Sequence, residues 1–124
     1  MTNTINKDYW TCYSNRMLDV SNKLMEVAKT FKNLGYTVLL PDDILIKFLK
    51  IKSADKHIYV GFQEVPYRFY LSYDIDYRLK HGSGKTLETS YDLENVFTTE
   101  KIIKSMQPNV KTICDDRHLT EFKG

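Results

Sequence analysis

Eight apolar side chains, Trp10, Tyr13, Met17, Val20, Leu24, Val27, Phe31 and Leu34, recur at spacings of 3, 4, 3, 4, 3, 4 and 3. That rhythm puts all eight on one side of an α-helix. A helix that is apolar on one side must bury that side. The chain that follows changes to a two-residue rhythm, so the helix is offered a sheet to pack on. The helix is expected to begin near Asp8, whose carboxylate suits the positive helix N-terminus. It is expected to stop at Gly35, which takes the left-handed conformation after Leu34. Residues 1–6 are polar and are expected to fray.

Strand candidates lie at 36–40, 44–52, 57–63 and 67–79. The last is the clearest. Tyr67, Phe69, Leu71, Tyr73, Ile75, Tyr77 and Leu79 fall on one face, and Arg68, Tyr70, Ser72, Asp74, Asp76 and Arg78 on the other. A slip of one residue would expose the whole apolar set, so the register is strongly specified. The short links between strands imply an antiparallel meander, since parallel neighbours need long crossovers. Residues 80–85 read as a glycine-rich hairpin tip and 86–91 as a returning fifth strand. A short helix is expected over 99–106, capped by Thr98 and ended before Pro108. In the tail, 110–113 suits an edge strand and 115–122 a helical turn. The expected fold is α+β: one domain with a long N-terminal helix packed on a four- to five-stranded antiparallel sheet, and a short C-terminal helix.

Composition narrows the function classes. With 42% hydrophobic and 13% aromatic residues the chain is globular rather than disordered. A formal net charge of +2 weighs against an acidic DNA mimic and leaves a local basic patch open. Two cysteines far apart, with no secretory segment and no run of about 18 apolar residues, lead to the expectation of a cytoplasmic protein with reduced thiols and no membrane partner. Lysine, isoleucine, tyrosine and asparagine are abundant and alanine is scarce. The codons for the first four are AT-rich, which points to a low-GC bacterium or one of its phages or plasmids.

Three clusters invite a chemical reading. His81-Gly82-Ser83-Gly84-Lys85-Thr86 resembles the end of a phosphate-binding loop, but Leu79 stands where that loop needs its first glycine. Asp74 and Asp76 share a strand face, where paired carboxylates can hold a hard cation or pair with neighbouring cations. Cys114-Asp115-Asp116-Arg117-His118 groups residues that a metal-dependent hydrolase or nuclease uses. No C-x-x-C or H-x-x-x-H spacing accompanies it, so no metal, cofactor or catalytic residue is assigned.

Lys47, Lys50, Lys52 and Lys56 form a basic stretch opposed only by Asp55. Together with Tyr59 and Tyr70 it could stack and hold single-stranded nucleic acid, or serve as a protein interface. The surface expected to meet a partner is Lys47, Lys50, Lys52, Lys56, Tyr59, Arg68, Tyr70, Asp74, Asp76, Arg78 and Lys85. The leading expectation is a small non-enzymatic protein-binding module. It would be an inhibitor from a phage or mobile element, such as an anti-CRISPR-type protein, or an immunity protein. Its partner would be another protein, such as a nucleic-acid-processing complex. A nucleic-acid-binding module is the first alternative, and a small hydrolase using Asp115, Asp116 and His118 the second. A monomer and a homodimer through the sheet edge or the N-terminal end of the helix both fit the pattern.

Overall fold

The structure, a computed structural model, describes residues 2–76, 83–93, 97–110 and 116–124, without the side chains of 2–14, 76, 83, 84 and 117. Helix α1 (Thr2–Asn33) leads into β1 (Thr37–Pro41), β2 (Phe48–Lys52), β3 (Lys56–Glu64), β4 (Tyr67–Asp76) and β5 (Ser83–Ser90). Then come α2 (Thr99–Ser105), β6 (Gln107–Pro108), a 3-10 turn at Asp116–His118 and β7 (Leu119–Glu121). The strands form one antiparallel sheet in the order β5-β4-β3-β2-β1-β7, and β6 pairs with the start of β3. This is the expected α+β architecture with seven strands in place of four or five. The additional strands, β6 and β7, are two and three residues long, too short for alternation to announce them.

Met17, Val20, Ser21, Leu24, Ala28 and Phe31 of α1 are buried, against Val38, Leu49, Ile51, Ile58, Val60, Phe69 and Leu71 of the sheet. Fully burying one such large side chain is worth about 1.5–3 kcal/mol of transfer free energy. The apolar stripe is only partly the buried face. A 3-4 repeat drifts by about 20° per seven residues on a helix of 3.6 residues per turn. By Leu34 the stripe has wound off the sheet, and that side chain is 54% exposed. Val27 is half-buried, and Ala28 takes its place in the core. Trp10, Tyr13 and Cys12 lie outside the described side chains. The helix backbone begins at Thr2 rather than near Asp8, because no proline or glycine interrupts the first turns. It ends as expected. Gly35 sits at φ 95°, and Tyr36 N–H donates to the Phe31 carbonyl at 3.1 Å.

β2 starts at Phe48 instead of residue 44. Ser21 of α1 explains the difference: its Oγ accepts the Ile46 N–H at 3.0 Å, turning that donor towards the helix and away from the sheet. The β4 alternation holds, with Phe69 and Leu71 in the core. Tyr67 and Ile75 at the strand's ends are exposed despite their face. Thr98 caps α2 by accepting Lys101 N–H at 3.1 Å, as its position suggested. Tyr77, Arg78, Leu79 and the first part of the hairpin tip lie outside the described residues, as do Cys114 and Asp115. Ser83–Thr86 belong to β5, so this part of the loop-like motif is strand rather than a helix start. No helix among the described residues is long and apolar enough to cross a membrane.

Gly61 on β3 faces Tyr70 on β4 in the cross-strand register. A Cβ at Gly61 would lie 2.3 Å from the Tyr70 ring, so the ring occupies the space that a side chain would fill. Gly61→Ala is therefore expected to displace that ring and destabilise the fold by about 1–2 kcal/mol. In a Tyr70→Ala background the same change should lose most of its effect. Urea denaturation of the four proteins in the cycle measures the coupling.

Candidate functional site

The face of the sheet turned away from α1 carries the polar parity of each strand. β2 contributes Phe48, Lys50 and Lys52, β3 contributes His57, Tyr59 and Gly61, and β4 contributes Tyr70, Ser72 and Asp74. Register sets Lys50 opposite Tyr59, Tyr59 opposite Ser72, and Lys52 opposite His57. An exposed polar face was the simple expectation. Instead Lys50 and His57 are each 1% exposed. The C-terminal arm supplies part of the reason. β6 lies beside the start of β3, β7 lies on the far edge beside β1, and between them the turn at Asp116–His118 brings Asp116 onto the lysines.

Asp116 bridges two strand positions. Its Oδ1 accepts from Lys50 Nζ at 2.8 Å and its Oδ2 from Lys52 Nζ at 2.8 Å. Lys50 Nζ also donates to Asp74 Oδ2 at 3.3 Å and lies 5.1 Å from the Tyr59 ring centre. The Tyr59 hydroxyl donates to the same Asp74 oxygen at 3.0 Å. Two ammonium groups and two carboxylates thus neutralise one another. Burial by itself would pull the Lys50 pKa down; the hydrogen bond to Asp116 and the contacts with Tyr59 outweigh it and raise the pKa above that of an ordinary lysine. Burial likewise opposes ionisation of Asp116, but the hydrogen bonds from Lys50 and Lys52 leave its pKa lowered. Burial raises the Tyr59 pKa against the pull of Lys50. Lys50 therefore stays protonated and Tyr59 stays a neutral phenol, so neither is a base or nucleophile near neutral pH.

His57 completes the cluster. Asp74 N–H donates to its Nε2 at 2.9 Å, which requires a neutral ring carrying its proton on Nδ1. Nδ1 is buried with no hydrogen-bond partner among the described residues. Burial first, then the charge of Lys50, lowers the His57 pKa below 6.5. Protonation would put a donor where the Asp74 N–H needs an acceptor.

The proposed partner surface is divided by the fold. Lys50, Lys52, Tyr59 and Asp74 meet in this cluster. Lys47 lies at the other end of β2, paired with Glu64. Lys56 is exposed at the start of β3, Tyr70 covers Gly61, and Lys85 is exposed on β5. Arg68 is half-buried, and its Nε has no partner among the described residues. The Asp76 side chain and Arg78 lie outside the described residues. Sequence reasoning missed His57 as a neutral acceptor and Asp116 as the counter-ion of two lysines. The parity of His57 with Tyr59 was the available signal for the first, whereas no local pattern announces a contact across 66 residues. Of the hydrolase set, Asp116 is held by ammonium groups and His118 is exposed. Among the described residues no three His, Cys, Asp or Glu side chains converge to hold a metal ion. A groove of about 260 Å³ between α1 and α2, floored by Val27, Phe31, Phe97 and Ile102, lies on the helix side of the sheet. No protein-family model, curated protein or solved structure matches the chain.

Asp116→Ala removes the main partner of a buried ammonium and is expected to cost about 3 kcal/mol in urea denaturation. Lys52→Ala, at the wetter end of the same bridge, should cost less than about 1 kcal/mol. The pH dependence follows from His57. Its folded pKa is lowered, so between that value and 6.5 the unfolded chain binds the extra proton. Stability should therefore fall as pH drops below 6.5, by up to about 1.4 kcal/mol per pH unit, until folded His57 protonates. The lowered Asp116 pKa acts in the same direction at lower pH: its contribution is present above 3.8 and is lost as pH falls through the folded value. NMR titration of the His57 ring, with stability measured from pH 7 down to about pH 2, checks both.

Proposed function

We propose that this chain is a small non-enzymatic protein-binding module that acts by occupying a surface of another protein. The kind we infer is an inhibitor carried by a phage or mobile element of a low-GC bacterium against a host defence system. An anti-CRISPR-type protein is one such form, and an immunity protein is a related alternative. Its partner is another protein, such as a nucleic-acid-processing complex.

The observation that carries this reading is the exposed group at the β3–β4 end of the sheet. Val65 is 84% exposed in the turn, and Tyr67 beside it stacks on Phe62 at 5.9 Å between ring centres. The Arg16 guanidinium of α1 lies 4.6 Å from the centre of the Tyr67 ring. Ile44, in the segment leading into β2 at the same end, is fully exposed. Tyrosine and arginine are, with tryptophan, the residues most often found to dominate protein interfaces, and a ring already in contact with Phe62 and Arg16 loses little freedom on binding.

The charged residues support the same choice over nucleic acid. Lys47, Lys50 and Lys52 each have a carboxylate within the fold, so three of the four lysines in the expected phosphate-binding stretch are already neutralised, by Glu64, Asp74 and Asp116.

Affinity capture from a low-GC host lysate, with mass spectrometry, tests the reading. Wild-type protein is expected to retain one protein in stoichiometric amount, and Tyr67→Ala to weaken that capture about 30-fold or more, as loss of a dominant interface residue does. Recovery of no stoichiometric protein would count against it. In parallel, single-stranded DNA and RNA should show no retention in low-salt mobility shifts. Retention that falls steeply with added salt would favour the nucleic-acid reading instead.

A further inference from the structure

The two edges of the sheet are unlike. The β1 edge carries the short β7, whereas the outer side of β5 pairs with no strand among the described residues. An eight-residue edge with free backbone donors and acceptors is a template for another strand. A charged residue and a bulge on such an edge usually discourage pairing, and β5 has both. Here the bulge has a second effect. Ser72 pairs with Thr86 and Leu71 with Glu88, so Leu87 is the additional residue. In an unbroken strand, residues three apart face opposite ways. The additional residue brings Lys85 and Glu88 onto the same face, the one shared with Tyr73 and Leu71.

That face is self-complementary. Glu88 Oε1 accepts from Lys101 of α2 at 2.8 Å, and its second oxygen, Oε2, can accept from a further cation. Lys85 is exposed and has no ion pair among the described residues. A second β5, related by a two-fold axis perpendicular to the sheet, sets each Lys85 opposite the other chain's Glu88. Thr86 and Leu87 then face Leu87 and Thr86 of the second copy, and Leu87, 43% exposed in the single chain, is covered. An unrelated strand would have no reason to match charges arranged about such an axis.

We propose that β5 is the seam of a homodimer, in which two antiparallel β5 strands join two sheets and Lys85 of each chain pairs with Glu88 of the other. This interface is independent of the Val65–Tyr67 group and needs no other partner to form.

Sedimentation equilibrium of the purified full chain, combined with hydrogen exchange at low and high protein concentration, tests it. A concentration-dependent dimer is expected, in which the β5 amides exchange more slowly as the dimer fills. Lys85→Glu sets two carboxylates against each other and should raise the dissociation constant at least tenfold, with an unchanged circular dichroism spectrum because Lys85 is exposed and unpaired in the single chain. The proposal is overturned by any of three results: a wild-type chain that stays monomeric to roughly 1 mM, a dimer whose β5 amides exchange as fast as in the monomer, or a folded Lys85→Glu chain that dimerises as tightly as wild type.

Discussion

A buried ammonium needs counter-charge close at hand, and Lys50 places one in the middle of a central strand on the side of the sheet that α1 does not cover. Much of the far side of the molecule follows from that. Asp116 must be within reach, so the C-terminal arm passes where it can deliver a carboxylate. Asp74 supplies a second carboxylate from β4, and Tyr59 donates to it. Burial, and after it the charge of Lys50 nearby, holds His57 neutral, and the ring accepts from the backbone of β4. Each group sets the charge state of the next. Taking away one member of such a set is more costly than replacing the set by apolar side chains of the same shape, because the members left behind are buried with uncompensated charge.

The two sides of the sheet are thus held by different physics. On the α1 side the contacts, the Ser21–Ile46 hydrogen bond apart, are apolar and non-directional, and the helix can tolerate a shift of its buried face from Val27 to Ala28 as the stripe drifts. On the other side the contacts are directional and tie segments far apart in the chain. This division also sorts the lysines. Charge that looks available for a partner when read along β2 is largely internal in the fold, which moves the exposed recognition features to the edges and ends of the sheet. The Val65–Tyr67 turn and the outer side of β5 are both such places.

How much was legible varies with the range of the interaction. Helix α1, strands β1 to β5 and the cap of α2 follow from patterns within one element: a 3-4 repeat, a two-residue alternation, and a threonine before a helical run. Each is enforced by local geometry and by the need to bury one face. The start of β2 was misplaced because Ser21, 25 residues earlier, takes the Ile46 N–H. β6 and β7 were invisible as strands because two or three residues have no period, and their pairing is decided by where α2 and the arm deliver them. In the site, Lys50, Lys52, Tyr59 and Asp74 were all singled out beforehand. Pairing of Asp74 with a neighbouring cation was expected and Lys50 provides it; the burial of the group was not foreseen, since it depends on Asp116 arriving from the far end of the chain.

By itself the sequence determined the secondary-structure alternation, the single helix offered to a sheet, and the identity of the two faces of each strand, because these depend on the spacing of apolar residues against fixed periods of 3.6 and 2. Tertiary structure alone decided which polar residues became interior. A lysine and a histidine on an outward parity are solvated in an isolated strand. Lys50 is buried here because strand register and a returning C-terminal arm bring Asp74 and Asp116 to 3.3 and 2.8 Å, and His57 because the β4 backbone donates to its neutral ring; both are properties of the assembled fold, with no trace in local spacing.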